Sequence, residues 1–148
     1  MKYFSISELC NSATAKRKGI PNVPSEEIKK HLTELVEKLL DPLREAWGSG
    51  IRISSGYRCT ALNKAVGGST TSAHNAGYAA DMVPVNGKIS EFKSFVMKWL
   101  KENGIKFDQY INEFSGSSQW VHLAIKNRAG FQRKQYLLYK GGKYSTIK

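Results

Sequence analysis

Histidine and cysteine are scarce in this chain: its 148 residues include 3 histidines and 2 cysteines. Cys10 and Cys59 lie far apart, and neither belongs to a CxxC pair. That excludes a thiolate zinc site of the structural kind and a disulfide framework. One long-range bridge is the most that two cysteines allow, and two buried free thiols are the expectation. Acidic residues are also few, 12 against 23 lysines and arginines, for a formal charge of +11. Such a balance favours anionic partners through long-range attraction: nucleic acid, anionic lipid or an anionic cell-wall polymer. The basic residues are scattered, with a mild excess toward the end (Lys126, Arg128, Arg133, Lys134, Lys140, Lys143, Lys148) and no run of five. A solvated basic surface and a polymer-binding surface both fit this pattern. Nucleic acid has only the charge behind it, without a helix-turn-helix, zinc-finger spacing or aromatic–basic RNA motif, and is not expected as a partner. No window approaches the ~20 apolar residues of a membrane span. Met1–Asn11 holds no apolar stretch of the signal-peptide kind, so synthesis in a cytoplasm without a signal peptide is expected.

What is present fits one domain spanning residues 1–148, long enough to bury a core without metal or disulfide staples. Any metal is then expected to serve chemistry rather than folding. Residues 3–24 read as a short helical turn, with Ser7 able to cap it, followed by loop. Ser25 caps a helix whose first turn carries Glu26 and Glu27, and Ile28, Leu32, Leu35, Val36, Leu39, Leu40 and Leu43 recur at helical spacing. Pro42 is expected to kink that helix, or Asp41 to cap a second piece. His31 reads as a surface or rim residue. Residues 51–54 alternate as a strand, 59–66 form one or two helical turns, and 67–77 are a Gly- and Ser-rich loop. A strand at 79–83 carries Asp81, and Ser90–Asn103 is an amphipathic helix stopped by Gly104. Residues 107–114 and 119–125 pair as a hairpin across SGSS, and 136–139 with 144–147 form a last, weaker one. The fold class expected is α+β, with a mostly antiparallel sheet.

The segment from Ser55 to Asp81 carries the chemistry. It reads SGYRCTALNKAVGGSTTSAHNAGYAAD, placing His74 seven residues before Asp81 with small residues between. His122 follows downstream in the strand sequence WVHLA. Two imidazoles and one carboxylate, with a side left open, form the ligand set of a catalytic zinc.

The string Ser55-Gly56-Tyr57-Arg58, with Leu62-Asn63, Gly67-Gly68-Ser69, Ser72-x-His74-x-x-Gly77-x-Ala79-x-Asp81 and Trp120-Val121-His122, resembles the zinc D-alanyl-D-alanine carboxypeptidases and L-alanyl-D-glutamate endopeptidases. The likeness covers about residues 3–126 and is nearest the small phage- or prophage-type branch. It implies the hedgehog/DD-peptidase fold, and zinc held by His74, Asp81 and His122. It also implies substrate contacts from Arg58, Ser72 and Tyr57, with Arg58 orienting the peptide or polarising the scissile carbonyl. An arginine beside a metal at a strand end is suited to clamping a carboxylate or carbonyl. Relatives usually carry an acid three residues before the last histidine as general base. Gln119 stands there, and an amide cannot accept the proton. If SGSS closes a regular hairpin, Glu113 pairs with Trp120 and Ile111 with His122, which puts Glu113 on the face of His122 and makes it the expected base. A slip of one residue would reverse this.

The expectation is therefore a zinc peptidase that hydrolyses peptidoglycan stem peptides at the bacterial cell wall, as a monomer. The alternative is a virion or cell-wall-binding protein of the same fold that keeps the zinc and cuts poorly.

Overall fold

The computed structural model describes residues 1–147. Its first elements are helices that begin wherever the chain offers a hydroxyl cap. Helix α1 (Ile6–Cys10) is capped by Ser5, whose oxygen accepts from the Glu8 amide; Ser7 lies inside the helix and does not cap it. Ser12 caps a further helix, α2 (Ala13–Lys18), where the sequence pattern implied loop. That helix has little apolar stripe to betray it and is built from the good helix formers Ala, Lys and Arg. Helix α3 (Glu26–Leu35) starts at Ser25, which accepts from the Ile28 amide.

Pro42 does not break the helical run. The chain widens into a π turn over Val36–Leu40 and re-enters α-helix as α4 (Asp41–Trp47). The Asp41 amide bonds the Val36 carbonyl, and the extra residue in that turn accommodates a proline that cannot donate. Freed from capping, the Asp41 carboxylate accepts from the backbone amides of Lys2 (2.5 Å) and Tyr3 (3.0 Å). The N-terminus is thereby fastened to α4.

Strand β1 (Ile51–Ser55) leads to the short helix α5 (Thr60–Ala65), then β2 (Ala79–Pro84), helix α6 (Ile89–Glu102), β3 (Gln109–Ser115), β4 (Ser118–Ala124), β5 (Gln135–Lys140) and β6 (Lys143–Thr146). The six strands form one sheet in the order β1-β2-β4-β3-β5-β6. Every pairing is antiparallel except β3 with β5. The architecture is α+β with a mostly antiparallel sheet. No helix of the described residues is long and apolar enough to cross a membrane.

Period-two alternation divides the sheet. Ala80, Met82, Tyr110, Val121 and Leu123 face the helices and pack with Leu32, Leu35, Leu39, Phe92, Val96 and Leu100 in the core. Each large apolar side chain buried this way stabilises the fold by about 1.5–3 kcal/mol. The Tyr110 hydroxyl donates to the Lys93 carbonyl of α6, tying helix to sheet at 3.2 Å. On the other face the register aligns Asp81 with His122, His122 with Ile111, and Glu113 with Trp120. Glu113 also neighbours Tyr139, and Tyr139 neighbours Tyr144.

Cys10 and Cys59 are free thiols, but half-buried rather than buried. The Cys59 sulfur caps α5 by accepting from the Leu62 amide.

Candidate metal centre

His74 sits on a loop that is held at many points. Gly56 passes so close to α1 that a Cβ would overlap the Leu9 carbonyl, and the next amide, of Tyr57, donates to that carbonyl at 2.7 Å. The Gly56 carbonyl in turn accepts from His74 Nδ1 at 2.8 Å. A carbonyl only accepts, so the proton of His74 is on Nδ1 and Nε2 presents its lone pair. The His74 amide donates to Ser72 Oγ (3.1 Å), and the His74 carbonyl accepts from the Arg58 amide (3.1 Å). Gly77 turns the loop back at φ +78°, where a side chain would be strained and would crowd Ile28 and His31. His31 Nδ1 donates to the Ala76 carbonyl at 2.7 Å, and its ring stacks on Tyr78 at 4.2 Å. This rim histidine therefore braces the loop from α3.

The three donor atoms converge. His74 Nε2 is 3.2 Å from His122 Nδ1 and 3.2 Å from Asp81 Oδ1, and His122 Nδ1 is 2.9 Å from Asp81 Oδ1. Ligands about 2.0–2.1 Å from a tetrahedral zinc lie about 3.3 Å from one another. The triangle is thus close to one face of such a tetrahedron. All three residues are buried, and among the described residues they form the one group of this kind able to hold a metal. Burial lowers the pKa of His74 against the opposing pull of Asp81, which favours the neutral, ligating imidazole. Burial works to raise the Asp81 pKa, but the neighbouring imidazoles of His74 and His122 outweigh it and hold the carboxyl well below its usual range. For His122, burial is overcome by hydrogen bonding and charge from Asp81, and its pKa stands above the ordinary value.

The donors lie in a cavity of about 510 Å³ on the uncovered face of the sheet. Glu113 lines it, with Oε1 3.7 Å from His122 Nδ1 and accepting from Trp120 Nε1 at 3.1 Å. Burial, reinforced by Asp81, raises its pKa. Gln119 lies one strand position off this face. Its amide oxygen accepts from Lys93 of α6 at 2.5 Å.

Arg58 lines the same cavity; among the described residues it has no acid partner and its buried Nε has no partner, while its Nη2 donates to Ser72 Oγ at 3.4 Å. Burial lowers its pKa against the charges of Asp81 and Glu113. Ser72 also lines the cavity and links Arg58 to His74. Tyr57 does not line it. Its ring packs in the core, because the strand has ended at Ser55 after an irregularity between Ile53 and Ser55, and the two neighbours 57 and 58 point apart. The structure thus places Tyr57 in the core rather than in the cavity that holds the other expected site residues.

Several lining residues carry no site expectation from the sequence, among them Asp108, Gln109, Asn127, Arg133, Tyr139 and Tyr144. Tyr139 and Tyr144 reach the cavity because β5 adds in parallel beside β3, a pairing that no local pattern signals.

The model of the family described as Peptidase M15 matches residues 2–124, a span holding His74, Asp81, Glu113 and His122 and ending before β5. No curated protein matches the chain. M15 peptidases depend on zinc, and the two-histidine, one-carboxylate set supplies donors of the type and spacing that zinc takes. The chain belongs to the Peptidase M15 family and is a zinc metallopeptidase.

Proposed function

We propose that the protein hydrolyses stem peptides of peptidoglycan at the bacterial cell wall, with His74, Asp81 and His122 as the zinc ligands. The observation that carries this reading is the placing of Glu113, 3.7 Å from His122 Nδ1, beside three converging donors in one solvent-open cavity. When bound, zinc supplies Lewis-acid polarisation of a carbonyl and lowers the pKa of a water toward about 7. Glu113 is the general base. It takes a proton from the attacking water and delivers it to the amine as the peptide C–N bond breaks. Its raised pKa suits both halves of that transfer. Trp120 fixes the carboxylate by donating from its indole. Arg58, without an acid partner among the described residues, offers its guanidinium to a substrate carboxylate or to the developing oxyanion, and Ser72 orients it.

The cleft continues on the other side of the donors. A second hollow of about 390 Å³, lined by Arg52, Ser54, Val83, Ser118 and Gln119, shares Asp81 and Trp120 with the first. Room on both sides of the donors favours cleavage within a peptide, as between L-Ala and D-Glu, over removal of one terminal residue. The reading of a non-cutting zinc protein rested on the amide at 119, and that residue faces Lys93 instead. The net charge of +11 assists capture of an anionic wall.

Mass spectrometry of purified peptidoglycan after incubation with zinc-loaded protein tests the proposal. Stem peptides freed from the glycan strand are expected. Release of D-alanine alone would overturn the endopeptidase reading, and an unchanged wall would overturn the proposal as a whole.

A further inference from the structure

The segment after Ala124 lies beyond the family match, yet it builds one end of the cleft. Its most constrained side chain is Arg133. Asp108, fully buried immediately before β3, accepts from Arg133 three times: Oδ1 from the backbone amide (3.0 Å) and from Nε (2.7 Å), Oδ2 from Nη2 (2.8 Å). The chain on either side is fixed as well. The Lys134 amide donates to the Phe107 carbonyl and the Gln135 amide to the Asp108 carbonyl. Asn127 closes the preceding turn by accepting from the Phe131 amide. The guanidinium is therefore anchored before any ligand arrives, and little side-chain freedom remains to be lost on binding.

This bracing does not use up the fork. Nη1 makes no hydrogen bond among the described residues, the side chain is 43% exposed, and Arg133 lines the cavity that holds the metal donors. Gln109 and Asn127 line the same end and offer polar neighbours. Arg58 occupies a different wall of that cavity, beside Ser72. The cavity thus carries two guanidinium groups, one without an acid partner and one locked from behind. A locked arginine with free N–H groups suits a planar carboxylate better than a neutral amide.

We propose that Arg133, positioned by Asp108, is a second carboxylate-recognition site of the cleft, reading an acidic group of the substrate distinct from the one met by Arg58. The inference rests on the stem-peptide reading above. It makes the C-terminal segment a determinant of specificity: a substrate with two free carboxylates is preferred to one in which either is amidated.

The test uses full-length, zinc-loaded protein and a series of synthetic stem peptides in which each carboxylate is converted in turn to a carboxamide. Binding is read by calorimetry on the Glu113→Gln variant and kcat/KM on the parent. The parent should prefer the free acid at two positions, each by about 10- to 100-fold, the scale of one charge-assisted hydrogen bond. Arg133→Gln should collapse the preference at one position toward unity, and Arg58→Lys at the other. Arg133→Lys keeps a positive partner for Asp108 but lacks the fork, so it should weaken the same preference if the glutamine variant does not fold. A purely structural Arg133 would lower all rates together and leave both ratios intact, which overturns the proposal. So does a parent indifferent to amidation at every position but one. If no peptide is cut but the binding ratios behave as described, the catalytic reading fails and this one stands.

Discussion

Glu113 and Gln119 stand on neighbouring strands, yet one faces the donors and the other faces α6. Their roles follow from that parity. Glu113→Gln should reduce peptide hydrolysis by about 10²–10⁴-fold, the usual cost of a lost general acid–base, with zinc still bound by elemental analysis. Full activity in that variant would remove Glu113 from the mechanism. Arg58→Ala should lower kcat/KM by roughly 10- to 100-fold without changing zinc content; loss of zinc instead would make the arginine a support of the His74 loop. Much of the site is legible at this scale because the chain has so few candidates. Three histidines, one of them on a helix rim, leave His74 and His122 as the candidates, and the register of the hairpin closed by SGSS puts Glu113 on the face of His122. The core placing of Tyr57 is not legible in the sequence, because it follows the end of β1, where alternation no longer applies.

The helices and strands themselves follow local chemistry in most places. Ser25, the apolar stripe from Ile28 to Leu43, and the SGSS turn between β3 and β4 are readable without coordinates. The π turn at Val36–Leu40 is not, because helical spacing cannot say whether proline is met by a kink or by one extra residue. Nor is the parallel seating of β5 on β3, which depends on contacts between distant segments. The junction between α1, β1 and the His74 loop is the element most exposed to a single change. Gly56→Ala would drive a methyl group into the Leu9 carbonyl, and the Gly56 carbonyl is what orients His74. Overpacking of this kind costs about 1–3 kcal/mol. Thermal unfolding should show a lowered Tm, and zinc affinity should fall with it. Unchanged affinity in a destabilised protein would mean that the His74 orientation does not depend on this contact.

At the scale of the molecule, one sheet separates two environments: helices and core on one side, an open cleft with the metal donors on the other. The core forms from apolar burial alone, so the metal is expected to add stability without being required for folding. Zinc should raise the Tm in proportion to the logarithm of its free concentration. Retention should weaken as pH falls, since protons compete for the two imidazoles that must be neutral to ligate. The basic surface should make wall binding, but not cleavage of a short soluble peptide, sensitive to salt. The central claim is that one zinc, held by His74, Asp81 and His122, makes this chain a peptidase of the cell wall. Titration of metal-stripped protein with zinc, while following cleavage of a defined stem peptide, tests it most directly. Activity should rise to a plateau at one equivalent, and His122→Ala protein should neither bind that equivalent nor cut. Cleavage that survives metal removal, or protein that takes up its zinc at these residues and leaves every stem peptide intact, would contradict the account.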